Sequence, residues 1–298
     1  MCGLLLINKP SGITSFGAVA RIRKLTGEKH IGHTGTLDPM ASGVLPVLIG
    51  RATKLSDYLL CTDKSYTATI RLGVSTDTLD ITGEVTEQGS VSVTNSQIDA
   101  VLKDFTGEIS QVPPMFSAIK KDGVRLYRLA RKGESIDLPA RKITVFSLSR
   151  ISDIDENNEF EISCTVSKGT SIRALCRDIG AALCVPATLS KLCRTKTAGF
   201  GIDKCVPLDE LTAENIESFI LPASKAAESF RKVKVTRAQA IRFSNGGALD
   251  FERLPRMNFC AGEIVRIYFE DEFLGLASAD TERGRFTLKC IINEMKGE

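Results

Sequence analysis

No stretch of this sequence is apolar for long enough to cross a bilayer. Runs such as Gly43–Gly50 fall far short of the roughly 20 residues a spanning helix needs, and Val265–Phe269 is interrupted by Arg266. Met1–Pro10 carries one lysine after its apolar stretch and no small-residue cleavage site, so neither a membrane protein nor a secreted precursor is expected. Histidine is almost absent, with only His30 and His33. The nine cysteines, at 2, 61, 164, 176, 184, 193, 205, 260 and 290, are odd in number, scattered and without a C-x-x-C pair. A structural zinc site needs four ligands at short spacings, and a disulfide framework needs regular pairs. Reduced thiols in a cytosolic protein are expected, and with no metal site any catalysis must rest on side chains.

What is present is a chain able to bury a core: 298 residues, 43% hydrophobic and 25% charged, one large domain or two unequal ones. Its 39 basic residues nearly balance 36 acidic ones, but they are segregated. Lys120 to Arg150 holds nine basic and three acidic residues, and Lys168 to Lys196 holds six basic residues against Asp178, with the acidic Asp153–Glu161 between them. Segregated positive charge suits a phosphate backbone; ordinary solvated faces account for it equally well.

Periodicity places several elements. Ser65–Val74 alternates, with Tyr66, Ala68, Ile70 and Leu72 on one face, as a half-buried strand does. Thr94-x-x-Gln97 reads as a capping box before a helix carrying Ile98, Val101, Leu102 and Phe105. A second helix is predicted from Ile172, Leu175, Cys176, Ile179 and Leu183. Ser15 is predicted to cap a third, with Phe16, Val19, Ala20 and Ile22 facing inward. Helices interleave with strands without regular βαβ alternation, which predicts an α+β class with a large mixed, mostly antiparallel sheet and flanking helices. After about residue 230 a short helix (Thr236–Ser244) and compact strands at Glu263–Phe269, Phe273–Ala277 and Arg285–Ile292 predict a small β-rich module. A linker near Pro222–Ser229 divides the chain into residues 1–228 and 229–298.

The densest segment runs Gly32-His33-Thr34-Gly35-Thr36-Leu37-Asp38-Pro39-Met40-Ala41-Ser42-Gly43-Val44-Leu45-Pro46. Glycines let a ligand approach the backbone, and Pro39 biases Asp38 away from helix. From composition alone, an Asx turn with Asp38 bonded to its own backbone is the favoured reading. No phosphate-binding Walker pattern is present. Asp77-Thr78-Leu79-Asp80 lacks the further ligands of a calcium loop and reads as a turn.

This segment resembles the active-site motif of the TruB family of tRNA pseudouridine synthases, and other segments agree in order. Leu6-Ile7-Asn8-Lys9-Pro10-x-Gly12-x-Thr14-Ser15 resembles the family's opening motif. Lys64-x-Tyr66 with Gly73, Thr76, Thr78, Asp80 and Gly83 resembles the next. Gln111-Val112-Pro113-Pro114-x-x-Ser117-Ala118-x-Lys120, then Gly123, Tyr127 and Ala130-Arg131-x-Gly133, resembles a third. Lys168-Gly169-Thr170-Ser171-Ile172-Arg173 with Asp178 and Gly180 follows, then Leu192-Cys193-Arg194 with Gly199-Phe200. The tail after residue 230 is loosely similar to the family's PUA-like RNA-binding domain.

The resemblance implies an isomerase that converts a T-loop uridine of tRNA, at tRNA position 55, to pseudouridine without cofactor or metal. The base leaves C1′ through N1 and rejoins through C5. A carboxylate suits this chemistry, attacking C1′ or C6, and by resemblance Asp38 is that group. Arg173 matches the arginine that keeps it charged against burial. Tyr66 matches the tyrosine that stacks on the flipped base and assists at C5; its periodicity fits plain core as well. His33 matches a histidine inserted into the RNA, and Leu192 a residue lining the uracil pocket. Ser171 stands where the family usually has tyrosine, which removes an aromatic contact, and Cys193 stands where arginine is usual. The implied partner is the tRNA T-arm, with no membrane, no obligate protein partner and a cytoplasmic monomer expected. A non-catalytic tRNA-binding module would share the basic strips and the β module; only Asp38 with Arg173 separates the two.

Overall fold

The predicted alternation over residues 65–74 appears as a nine-residue strand, and a large sheet is built around it. The computed structural model describes residues 1–60, 62–116, 120–121, 124–125, 136, 138–254 and 258–293. Ser117, Ala118, Gly123, Tyr127, Ala130, Arg131 and Gly133 of the third motif, with part of the first basic strip, lie outside the described residues. The sheet has eleven strands among the described residues. These are β1 (Gly3–Lys9), β2 (Ile31–His33), β3 (Ser42–Ile49), β4 (Lys64–Leu72), β5 (Gly107–Gln111), β6 (Arg141–Arg150), β7 (Glu159–Val166), β8 (Ala187–Thr197), β9 (Phe200–Gly201), β10 (Val206–Pro207) and β11 (Ile220–Leu221).

The main path runs β10-β1-β3-β8-β4-β7-β6-β5, with β2, β9 and β11 pairing β3, β8 and β1. Only β1–β10 and β3–β8 are parallel, so the sheet is mixed and mostly antiparallel, as predicted. Leu5 and Ile7 of β1 enter one core while Leu4 and Leu6 enter another. A strand buried on both faces reads as an unbroken apolar run.

Helices α1 (Ser15–Thr26), α2 (Asn95–Asp104) and α3 (Ile172–Ala182) cover the first core. The capping box of α2 is present, with Thr94 and Gln97 bonding each other's backbone. In α1 the prediction is corrected. Thr14, not Ser15, is the cap and accepts from Gly17 N at 2.8 Å. Ser15 turns inward, donating to Leu37 O at 3.0 Å and accepting from Leu37 N at 2.8 Å. With Ser15, Ala18, Val19 and Ile22 forming the buried face, Phe16 lies about 100° round the helix and is 68% exposed, and Ala20 is exposed too.

A second sheet of five strands holds β12 (Arg231–Lys234), β13 (Leu249–Asp250), β14 (Ile264–Phe269), β15 (Glu272–Asp280) and β16 (Arg285–Ile291), in the order β12-β14-β15-β16-β13. Helix α4 (Arg237–Ser244), capped by Thr236, packs on it. The segment expected as a linker contains a 3₁₀ turn, Ala223–Ala227, with Ala223, Ala226 and Ala227 buried. They join Leu4, Leu6 and Leu48 of the large sheet and Tyr268, Phe273 and Leu276 of the small one in one apolar seam. Among the described residues no helix is long and apolar enough to cross a membrane.

The parallel pairing of β3 with β8 sets Gly43 opposite Arg194. Gly43 has φ +105°, and a Cβ there would stand 2.3 Å from the Arg194 carbonyl oxygen. Both obstacles are backbone. Gly43→Ala is therefore expected to lower stability by about 3 kcal/mol, read as a lower urea midpoint.

Candidate active site

Residues 34–41 connect β2 to β3, and the chain anchors this loop from several sides. Lys9, at the end of β1, is wholly buried and donates from Nζ to the carbonyls of Pro10 (2.9 Å), Ile13 (2.8 Å) and Pro39 (3.5 Å). Gly12 N donates to Pro39 O at 2.8 Å. From β8, Arg194 brackets the loop, donating from Nη2 to Gly35 O near its start at 2.9 Å and from Nε to Val44 O of β3 at 2.8 Å. The Asp38 carboxylate makes no Asx turn among the described residues. It pairs instead with Arg173, whose Nε stands 3.0 Å from Oδ2.

Arg173 lies in the first turn of α3. Ser171 is the cap of that helix, and its Oγ accepts from Ala174 N at 3.3 Å. Gln111, at the end of β5, clamps the Ser171 backbone, donating to its carbonyl at 3.1 Å and accepting from its N–H at 2.9 Å. The Arg173 guanidinium donates to Thr78 O at 2.9 Å and to Phe116 O at 2.7 Å. Its Nη1 is also 3.4 Å from Oδ2 of Asp80, whose side chain is 6% exposed. Oδ1 of Asp80 accepts from Thr78 Oγ1 and Thr82 N, each at 3.0 Å. Residues 77–80 do form a turn, as read from the sequence, but the turn carries a second carboxylate to the same arginine. Asp80, Lys9 and Arg194 are the residues that sequence reasoning left without a role.

Asp38, Asp80 and Arg173 line a cavity of about 590 Å³, together with Tyr66, Ser171 and Leu192. Of the six residues singled out from the sequence, five thus share one cavity. His33 lies outside it, half-buried on β2, with a buried Nδ1 that has no hydrogen-bond partner among the described residues. Burial pushes its imidazole to a lower pKa than usual, and the charge of Arg194 adds to this. The Ser171 hydroxyl is engaged at the helix cap.

Burial raises the Asp38 carboxyl above its usual value; Arg173 opposes this, Asp80 adds to it, and Lys9 opposes it. Burial outweighs the arginine, so Arg173 limits the rise rather than reversing it. Among the described residues, no group of three or more His, Cys, Asp or Glu is placed to hold a metal ion. What remains is an acid with a guanidinium partner at the wall of a cleft large enough for a nucleoside.

Burial also lowers the Lys9 ammonium to about 8, against an opposing pull from Asp38 and with a further push from Arg194. The unfolded lysine holds its proton to near 10.5. Between those values the unfolded chain binds more protons, so this group makes the protein more stable as pH rises through the window. Lys9→Met removes that rise. Relative to Lys9→Met, the wild type is expected to gain about 2 kcal/mol in urea unfolding between pH 7.5 and 10. The variant is expected to be less stable than wild type at both, with the carbonyls of Pro10 and Ile13 left without this donor.

Comparison with known proteins decides the relationship. Residues 23–172 match the model of the TruB family pseudouridylate synthase N-terminal domain, and residues 173–227 that of the tRNA pseudouridylate synthase B C-terminal domain. The chain belongs to the TruB family. It is 40% identical to the tRNA pseudouridine synthase B of Clostridium tetani over 293 residues, covering 98% of this chain and 100% of that one. Its identity to the Clostridium perfringens protein of the same name is 40% over 296 residues, with 99% and 100% covered. Among solved structures, a Cbf5-Nop10-Gar1 complex matches with TM-score 0.72 and 28% identity over 99% of this chain and 84% of the other. An H/ACA RNP bound to a substrate RNA containing 2′-deoxyuridine matches with TM-score 0.74 and 26% identity, with 98% and 85% covered. This TruB-family chain is thus a tRNA pseudouridine synthase of the isomerase class, and the resemblance read from its motifs extends over nearly its whole length.

Proposed function

We propose that this enzyme acts on one uridine of the tRNA T-loop, at tRNA position 55, with Asp38 as nucleophile and without a cofactor. The observation that carries this reading is the Asp38–Arg173–Asp80 arrangement opening on a cavity. The N1–C1′ bond breaks, a C5–C1′ bond forms, the C5 proton leaves and N1 takes up a proton, so the product is an isomer of the substrate. The carboxylate takes up the electrophilic centre while the base turns, and it is released when C5 bonds. Arg173 keeps enough of Asp38 ionised for that attack.

A uridine in a folded loop must leave its stack to reach such a cavity, at a cost of a few kcal/mol. Tyr66 offers a ring in the cavity wall for the extruded base, and Leu192 an apolar contact. His33, outside the cavity, is read as a contact to the RNA that the base has left. Ser171, its hydroxyl spent on the helix cap, contributes little to the base. Residues 229–298 are read as a separate RNA-binding domain, and the enzyme as a cytoplasmic monomer with the tRNA T-arm as its partner.

The test is a T-arm minihelix with uridine at position 55 and at other loop positions, scored for pseudouridine position by position. Conversion at that position, and none when it is cytidine, is expected. Modification of a uridine elsewhere in the same minihelix, with position 55 untouched, overturns the assignment of substrate.

A further inference from the structure

Arg194 is one of the largest fully buried side chains of the protein, 1% exposed. None of the ion pairs found among the described residues includes it. A guanidinium stays charged at any working pH, and a buried charge is costly unless hydrogen bonds satisfy it. Two carbonyl acceptors and a cross-strand tyrosine surround it here. The carbonyls are those of Gly35 and Val44, on either side of Asp38 along the chain. The tyrosine is Tyr66, which stands directly across the strand pair from Arg194, with its hydroxyl within reach of the guanidinium's charge.

The chemistry of the pair fixes its direction. Arginine has donors only, so in a hydrogen bond between the two the phenolic oxygen accepts. Its own hydrogen is then left for another partner, and Tyr66 lines the cavity. We propose that Arg194 is a positioning residue for the isomerisation, fixing Tyr66 as a hydrogen-bond donor aimed into the cavity and tying it to the Asp38 loop. The inference rests on the reading of Asp38 and Tyr66 given above. The field of this cation reaches further, since it helps to lower both Lys9 and His33. A methionine could fill the same space but could not set the tyrosine.

The experiment compares wild type, Arg194→Met, Arg194→Lys, Tyr66→Phe and the double variant Arg194→Met/Tyr66→Phe. Single-turnover rates on the T-arm minihelix are measured together with RNA affinity. Arg194→Met is expected to slow the reaction about 100-fold, the low end of what a placed proton donor contributes, with affinity held within about twofold. Arg194→Lys, which keeps one charged donor, recovers part of the loss. In the double variant the losses do not multiply, because removing the hydroxyl already removes what Arg194 orients.

A second readout is the ¹³Cζ resonance of Tyr66, one of four tyrosines, assigned by its disappearance in Tyr66→Phe. Its titration moves to higher pH when the neighbouring cation is lost. Multiplying losses, or a Tyr66 resonance indifferent to residue 194, overturn the proposal. If Arg194→Met does not fold, Arg194→Lys and its double variant with Tyr66→Phe carry the same two readouts. Asp38→Asn serves as the control: an active Asp38→Asn sinks the catalytic reading itself, whereas failure of the Arg194 proposal leaves Asp38→Asn inactive.

Discussion

Asp38→Asn is expected to reduce pseudouridine formation by at least about 10⁴-fold, the scale of losing a covalent nucleophile, while the T-arm minihelix still binds within a few-fold. The substitution is nearly isosteric, and the loop does not depend on the carboxylate. Lys9, Ser15 and Arg194 hold residues 35–44 through backbone atoms. The amide can still accept from Arg173 at the Oδ2 position, so the guanidinium keeps a partner and Asp80 keeps its cation. What is lost is the negative charge and the lone pair able to attack. Two measurements, product per enzyme in a single turnover and RNA retention on a filter, separate catalysis from recognition. Unchanged product formation in the variant would show a protein whose RNA chemistry does not pass through this carboxylate.

Why Asp38 could be found in the sequence and Asp80 could not is a matter of what each residue's neighbours reveal. Asp38 sits among glycines and prolines, in a segment whose order of residues resembles a known motif. Arg173 follows a helix start marked by Gly169 and Thr170. Asp80 sits in a turn, and the turn reading was right. Its inward aim is set by hydroxyls at 76, 78 and 82, which bond its backbone or its carboxylate, and by an arginine 93 positions away that no local pattern indicates. Lys9 and Arg194 did leave a trace. Lys9 is the one charged residue in a strand otherwise buried, and Arg194 falls two places after the buried Leu192, on the inward phase of β8. A charge at an apolar phase is a signal that something must satisfy it. The strand order was beyond reach in the same way. Nothing local says that Gly43 will lie beside residue 194, because parallel pairing joins segments that are far apart in the chain. The exposed Phe16 shows the opposite failure, an apolar residue assigned to the core when a serine was needed there to hold Leu37.

Arg173→Met and Asp80→Asn form the second large effect, and they are informative because their signs differ. The reaction needs the Asp38 carboxylate, so its rate follows the ionised fraction and falls on the acid side of the Asp38 pKa. Burial raises that pKa, Arg173 pulls it down, and Asp80 pushes it up. Removing the arginine leaves the half-buried Asp38 and the buried Asp80 carboxylates without the cation between them, a setting in which one proton is strongly retained. The acid limb of the rate profile then moves to higher pH. The rate at pH 7 is expected to fall about 10³-fold, with partial recovery at pH 9 as the retained proton is released. Asp80→Asn removes a like charge, so the limb moves to lower pH. Its rate above the limb falls less, about 10-fold, because Arg173 keeps Asp38, Thr78 and Phe116 as partners. Stability must be followed alongside, since an unpaired buried carboxylate costs about 3–5 kcal/mol and Arg173→Met leaves Asp80 in that state. Rates are therefore compared only where circular dichroism shows both variants folded. Limbs that move in the same direction in the two variants would mean that the arginine serves to shape the cleft, and that the charge of Asp38 is set elsewhere.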